Sequence, residues 1–234
     1  MERYGKDEMK YGPVSLGYAS RAADCDHEEC CGDTAFSCRL PSGSRAVILS
    51  DGMGHGPAAA SESRAAAGML RRLLKQGVPA GKAIREVNRK LLRNGWSRES
   101  FATVDLTIID KTGSRARFYK MGAAPTYVIR GRRIRKITRP ALPVGILPDV
   151  RLGHVSIPLA AGDILIMMSD GISDSGRRDG TGADWVTSFL YDMMDEDGIH
   201  AGPRQIARIL LEEAGWRYDS GEGDDATTAV IIIR

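Results

Sequence analysis

Twice in this chain an apolar run ends in Ser-Asp-Gly, and the two copies say where strands must stop. Ala46-Val47-Ile48-Leu49 leads into Ser50-Asp51-Gly52-Met53-Gly54, and Ile164-Leu165-Ile166-Met167-Met168 leads into Ser169-Asp170-Gly171-Ile172. A short aliphatic run closed by Asp-Gly reads as a buried strand leaving its sheet at an acidic turn. Each copy therefore sets one carboxylate at a sheet edge. Two further acidic points bracket them, Gly32-Asp33-Thr34 upstream and Asp224-Asp225 running into the apolar strand Ala229 to Ile233. A single Asp-Gly is ordinary turn chemistry. Four carboxylate points at strand ends can converge if the strands are neighbours, and converging carboxylates repel unless cations lie between them. The pattern implies a hard-metal site for two ions. The glycine after each Asp lets backbone approach closely, so that a carbonyl or a bridging water can join the coordination shell.

The rest of the pattern alternates between strands and helical pairs. Val14 to Ala19 and Ala35 to Leu40 read as strands, after a polar opening, Met1 to Lys10, expected to fray. From Pro57, residues Ala65, Met69, Leu70, Leu73 and Leu74 recur at helical spacing until Gly77 and Pro79, and Ile84, Val87 and Leu91 mark a second helix ending near Asn94-Gly95. Short strands follow at Thr103 to Ile109, Arg115 to Lys120, Thr126 to Ile129, Ile134 to Thr138 and Leu152 to Ile157, as an antiparallel meander interrupted by the Pro- and Gly-bearing loop Pro140 to Pro148. Helical stretches at Ala183 to Met194 and Pro203 to Glu213 precede the last strand. Antiparallel strands with clustered helices predict an α+β fold: a four-layer sandwich of two mainly antiparallel sheets, each flanked by a helical pair. No composition break divides the chain, so residues 1–234 are expected to form a single domain.

Charge and cysteines exclude more than they propose. A net charge of +3 argues for neither nucleic acid nor a membrane surface. No apolar run approaches the roughly 18–20 residues that span a bilayer, and the polar start carries no secretory signal. The expectation is a cytoplasmic chain, or the cytoplasmic part of a longer, membrane-anchored protein. Cys25, Cys30, Cys31 and Cys38 do not repeat the C-x-x-C knuckle of structural zinc sites, even with Asp26 and His27 beside them, and read as free thiols.

Gly32-Asp33-Thr34, Ser50-Asp51-Gly52-Met53-Gly54-His55-Gly56, Ser169-Asp170-Gly171-Ile172 and Asp224-Asp225-Ala226-Thr227, in that order and spacing, resemble the metal-dependent protein phosphatases of the 2C type. The phosphatase domain of the stage II sporulation protein E branch is the nearer likeness, supported by Ala102-Thr103-Val104-Asp105-Leu106, Met121-Gly122-Ala123-Ala124-Pro125 and Leu142-Pro143-Val144-Gly145-Ile146. The likeness runs from about Val14 to Arg234. It implies a β-sandwich flanked by helices, two Mn²⁺ or Mg²⁺ ions, and hydrolysis of phosphoserine by a metal-activated water. Carried over by position, Asp51 would bridge both ions, the Gly52 carbonyl would join one, and Asp33 would hold one side directly or through water. Asp170 and one of Asp224 and Asp225, with Asp224 favoured, would hold the other ion. The same resemblance implies a phosphorylated anti-sigma-factor antagonist as substrate in sporulation or stress signalling. It also implies that the helical pair within Gly56 to Asn94 acts as a switch, so that the isolated domain is weakly active. A homodimer is left open.

Other features are weaker. His55 is either a general acid for the leaving serine oxygen or a capping histidine at the helix start. Arg21 is a candidate clamp for the substrate phosphate. The basic run Arg130, Arg132, Arg133, Arg135, Lys136 and Arg139 reads as a solvated hairpin about Gly131, with docking of an acidic phosphoprotein as its sharper alternative. Asp105, alternating with apolar residues, is either solvent-facing or a support for the metal site. The rivals to a protein phosphatase are a catalytically silent binding module of the same fold and a two-metal phosphohydrolase acting on a small phosphoester. No Walker-type loop favours nucleotides.

Overall fold

The computed structural model describes residues 2–4, 9–23, 30–54, 56–94, 101–175, 184–218 and 223–234. In chain order the elements are β1 (Glu2–Tyr4), β2 (Met9–Tyr11), β3 (Val14–Arg21), β4 (Asp33–Arg39), β5 (Arg45–Asp51), α1 (Gly56–Lys75), α2 (Ala80–Asn94), β6 (Val104–Ile109), β7 (Arg115–Met121), β8 (Thr126–Arg130) and β9 (Arg133–Ile137). They continue as β10 (Val155–Pro158), β11 (Ile164–Met168), α3 (Asp170–Ser173), α4 (Trp185–Asp192), α5 (Pro203–Trp216) and β12 (Ala226–Ile233). One sheet runs β1-β3-β12-β11-β8-β9 with β2 also on β3, the other β10-β7-β6-β5-β4, and every pairing is antiparallel.

Strand parity decides which side chains meet, because successive residues point to opposite faces. Val47 and Leu49 of β5, Phe118 of β7, Leu165 and Met167 of β11, and Ala229 and Ile231 of β12 form the core between the two sheets. The alternate residues, Ala46 and Ile48 of β5 with Leu106 of β6, face outward and pack on α1 and α2. Ile164, Ile166 and Val230 likewise face α4 and α5. The chain thus forms the four expected layers. Each fully buried aliphatic side chain contributes on the order of 1.5–3 kcal/mol.

Helix α1 ends as its sequence predicts. Gly77 takes φ +82°, its N–H bonds the Leu74 carbonyl, and the Val78 N–H reaches back to Leu73. Those two bonds are a Schellman cap, and Leu73 and Val78 both pack on the core beneath it.

Two expectations need correction. The polar opening was expected to fray, yet Glu2–Tyr4 and Met9–Tyr11 are strands, paired with Arg21 to Ala19 and Leu16 to Val14 along one edge of β3. Backbone hydrogen bonding to an open edge needs no apolar side chains, so composition could not reveal it. The second is one of extent: β4 begins at Asp33, ahead of the expected Ala35, and the last strand at Ala226, ahead of Ala229, with Asp224-Asp225 directly before it. Cys30, Cys31 and Cys38 are free thiols. Cys25, Asp26, His27, Gly95 and Ala183 lie outside the described residues. No described helix is long and apolar enough to cross a membrane.

A carboxylate cavity at one end of the sandwich

Inner-face parity carries on past the core and ends in carboxylates. Asp33 and Asp51 are direct cross-strand partners, one rung beyond the Ala35–Leu49 pair. Leu49 and Ala35 belong to the inter-sheet core, so both aspartates face the same gap. Like charges directly opposite on a sheet are destabilising.

From the other sheet, Ser169 at the end of β11 closes the gap. Its N–H bonds the Thr227 carbonyl at 2.9 Å, its Oγ accepts the Thr227 N–H at 2.9 Å, and its hydroxyl donates to Asp33 Oδ2 at 2.7 Å. The Ser of each Ser-Asp-Gly phrase therefore does structural work. Ser50 donates to the Thr103 carbonyl at 2.6 Å, while Thr103 Oγ1 accepts the Asp51 N–H at 2.9 Å.

The two glycines serve packing. A Cβ on Gly52 would collide with the Ala59 carbonyl of α1, and one on Gly171 with the Asp225 carbonyl. Close approach, expected for the sake of a ligand, is here also what seats α1 against β5 and α3 against β12.

Asp51, Gly52, Asp170 and Asp224 line one cavity of about 490 Å³, with Met53 and Pro143 on its walls. Asp33 and Asp225 lie deeper. Asp225 is 2% exposed, its Oδ1 accepts the Ala23 N–H at 2.8 Å, and its Oδ2 is buried without a partner. Asp33 Oδ1 is likewise buried and unpartnered. The doublet is therefore split by geometry: Asp224 is exposed at the cavity and Asp225 is beneath it.

Electrostatics follow from this crowding. Burial pushes Asp33 up to about 8, against the hydrogen bond from Ser169, and the charges of Asp225 and Asp170 push the same way. Burial, then Asp33, Asp170 and Asp224, pushes Asp51 up to about 10. Asp170, open to solvent yet ringed by protein at the cavity mouth, is raised by desolvation and by Asp224 and Asp174.

Among the described residues, no three His, Cys, Asp or Glu side chains close on a single point; the carboxylates surround a cavity instead. That donor set still fits hard cations. It is all oxygen, two buried carboxylate oxygens lack partners, and Mg²⁺ keeps several waters while taking one or two carboxylates directly.

The remaining candidates fall elsewhere. Arg21 ends β3 on the outer face, where its guanidinium abuts Gly215 of α5, and it does not line the cavity. His55 lies outside the described residues. In the basic run, Arg130 pairs with buried Asp163 through Nε and Nη2 at 2.7 and 2.6 Å, and Lys136 with Asp184 at 2.7 Å. Arg132, Arg133 and Arg135 are exposed. Asp105 is 1% exposed and bonded to Lys120, which removes its solvent-facing reading. Ser169, Thr103 and Lys120 went unrecognised in the sequence. The signal for Lys120 was available: it shares inner parity with Ala116 and Phe118.

A family model described as stage II sporulation protein E (SpoIIE) matches residues 41–234. The chain is 33% identical over 201 residues to stage II sporulation protein E of Bacillus subtilis (strain 168), covering 86% of this chain and 24% of that protein. It is 31% identical over 200 residues to stage II sporulation protein E of Priestia megaterium, covering 86% of this chain and 33% of that one. The chain thus spans only about a quarter to a third of these curated relatives. Among solved structures it resembles the PP2C phosphatase domain, with a fragment of the regulatory domain, of the cell fate determinant SpoIIE from Bacillus subtilis. The TM-score is 0.81 at 31% identity, over 94% of this chain and 63% of that one.

Proposed function

The chain belongs to the stage II sporulation protein E family, and from that premise we propose that it is a metal-dependent serine/threonine phosphoprotein phosphatase. The observation that carries the reading is the convergence of Asp51, Asp170 and Asp224 on one cavity, with Asp225 buried and Asp33 half-buried behind them. So many carboxylates in one protein-lined volume are a poor structural choice without cations to share.

Asp51, the Gly52 carbonyl, Asp170 and Asp224 would hold two Mn²⁺ or Mg²⁺ ions, and Asp33 and Asp225 would support them directly or through water. When bound, such ions neutralise phosphoryl oxygens and lower the pKa of water so that it attacks phosphorus in line. This chain's own residues prepare that chemistry. Ser169 fixes the Asp33 carboxylate, and Thr103 fixes the backbone that carries Asp51. Pro143 and Met53 wall the cavity with apolar surface. No cysteine nucleophile is needed: burial pushes the Cys31 thiol up to about 12, far from a reactive thiolate.

Family kinship supports a phosphorylated anti-sigma-factor antagonist as the substrate and the cytoplasm as its place of action. The α1–α2 pair is the proposed switch, supported by the tight seat of Gly52 on Ala59.

Phosphate release from a phosphoserine protein in MnCl2, compared between the native chain and Asp51→Asn, tests the reading. Turnover that needs Mn²⁺ and drops at least 100-fold in the variant is expected. Mn²⁺ binding without turnover of any phosphoester would favour the silent binding module. Turnover of p-nitrophenyl phosphate but of no phosphoprotein would favour the small-molecule hydrolase.

A further inference from the structure

One rung below the carboxylate cavity lies a buried charge pair that the proposed chemistry does not use. Asp105 of β6 is the cross-strand partner of Leu49 on one side and Lys120 on the other. Its parity is that of Thr107 and Ile109, so it faces the gap between the sheets. Lys120 Nζ donates to Asp105 Oδ2 at 2.6 Å and to Thr126 Oγ1 at 2.9 Å, and the Thr126 hydroxyl donates to the same Oδ2 at 3.0 Å. Thr126 belongs to β8 in the opposite sheet, so the three side chains bridge the sandwich. Each is at most 1% exposed, and Lys120 is the one buried cation among the described residues.

A buried pair of this kind gives little stability over an apolar replacement. Its geometry is also lopsided. Three hydrogen bonds gather on one side of the pair, whereas Asp105 Oδ1 is buried and has no partner. An unsatisfied carboxylate oxygen costs roughly 1–3 kcal/mol or more. Asp105 also lines a second, small cavity of about 10 Å³, whose walls include Asp51, Thr103, Ser169 and Asp170. Roughly 10–15 Å³ is the space one water needs, together with two to four polar partners. Asp105 Oδ1 and the Asp51 carboxylate would accept the two hydrogens of such a water, and the Thr103 and Ser169 hydroxyls stand on the same walls.

We propose that Asp105 is a positioning residue for the metal site: its Oδ1 accepts a hydrogen bond from a water that gives its second hydrogen to the Asp51 carboxylate and so orients it. Lys120 and Thr126 occupy Oδ2 and so leave Oδ1 for that water. The proposal rests on the metal-dependent reading above. Groups that orient metal ligands from behind typically change metal affinity or activity about 10- to 100-fold when removed.

The test is Asp105→Asn, read by MnCl2 titration calorimetry and by thermal unfolding. The Asn carbonyl can keep the bonds to Lys120 and Thr126, which places its NH2 where Oδ1 was and reverses the hydrogen-bond polarity toward the water. Mn²⁺ affinity reduced about 10-fold or more, in a variant that still unfolds cooperatively, is expected. Unchanged affinity in a folded Asp105→Asn chain overturns the proposal and leaves the triad as a staple between the sheets. Should that variant fail to fold, the double change Asp105→Leu with Lys120→Met removes both charges together. Weakened Mn²⁺ binding there supports the positioning role, and native affinity overturns it. A native chain that binds no Mn²⁺ sinks the metal reading itself, a result distinct from either.

Discussion

Asp33 and Asp51 keep protons that an exposed aspartate gives up near pH 4, because burial and neighbouring carboxylates push them up to about 8 and about 10. The sign of the consequence is fixed by linkage. Between about pH 4 and those values the folded state binds more protons than the unfolded chain, so stability falls as pH rises. The carboxylates held below their usual value, Asp110, Asp184 and Asp195, act only below that range, and Lys120, lowered by burial, opposes the trend only toward the alkaline side. Without metal, urea midpoints are therefore expected to decline from pH 5.5 to 8.5. With saturating MnCl2 the slope should flatten or reverse, because a bound cation replaces the protons. A metal-free midpoint that rises over this interval would contradict the crowding of carboxylates seen in the cavity. At this scale the acidic residues were legible in the sequence because turn glycines and preceding apolar runs exposed them. Asp224 and Asp225 could not be told apart, since only the packing at Gly32 and Ala23 sends one carboxylate inward and leaves the other at the cavity.

Strands and helices were legible wherever a periodic apolar face is buried. They were not legible where hydrogen bonds alone decide. Asn88 shows the difference. It sits at 1% exposure in α2, among residues that read simply as a helix, and holds the loop that walls the cavity. Its Oδ1 accepts the Gly145 N–H at 2.8 Å, and its Nδ2 donates to the Leu147 and Pro148 carbonyls at 2.9 and 3.3 Å. That loop in turn pairs Val144 with Ala102, and Ala102 with Gly52. A helix thus reaches the cavity through one amide side chain. Asn88→Ala leaves three backbone groups without this partner and is expected to cost about 1–3 kcal/mol, lowering the melting temperature by about 2–4 °C per kcal/mol. Because Pro143 belongs to the same loop, the KM for a phosphoprotein is expected to rise as well. A variant with native melting temperature and native kinetics would show that the loop holds itself in place.

For the molecule as a whole, the sandwich leaves β3 with one edge that, among the described residues, β1 and β2 alone cover. Its other edge is committed to β12 along eight residue pairs. An uncovered strand edge presents unpaired N–H and C=O groups, a template for another chain. Polar composition hid this, because backbone pairing to a strand edge needs no apolar pattern. The layers themselves were readable from the order of apolar runs, since two amphipathic helical pairs and alternating strands admit few ways to bury every face. A chain beginning at Gly12 keeps every described member of the three hydrophobic clusters. It is therefore expected to fold and to retain Mn²⁺ binding. Its exposed β3 edge should drive self-association, visible as concentration-dependent elution in size-exclusion chromatography with light scattering, while the full chain at equal concentration elutes unchanged. A substitution in the pairing segment separates the cause from mere loss of length: Ser20→Pro, at a residue paired with Arg3 of β1, removes one edge N–H in the truncated chain and should restore the smaller species. If the truncated chain stays as dispersed as the full one, β3 protects its own edge and the two opening strands have another purpose.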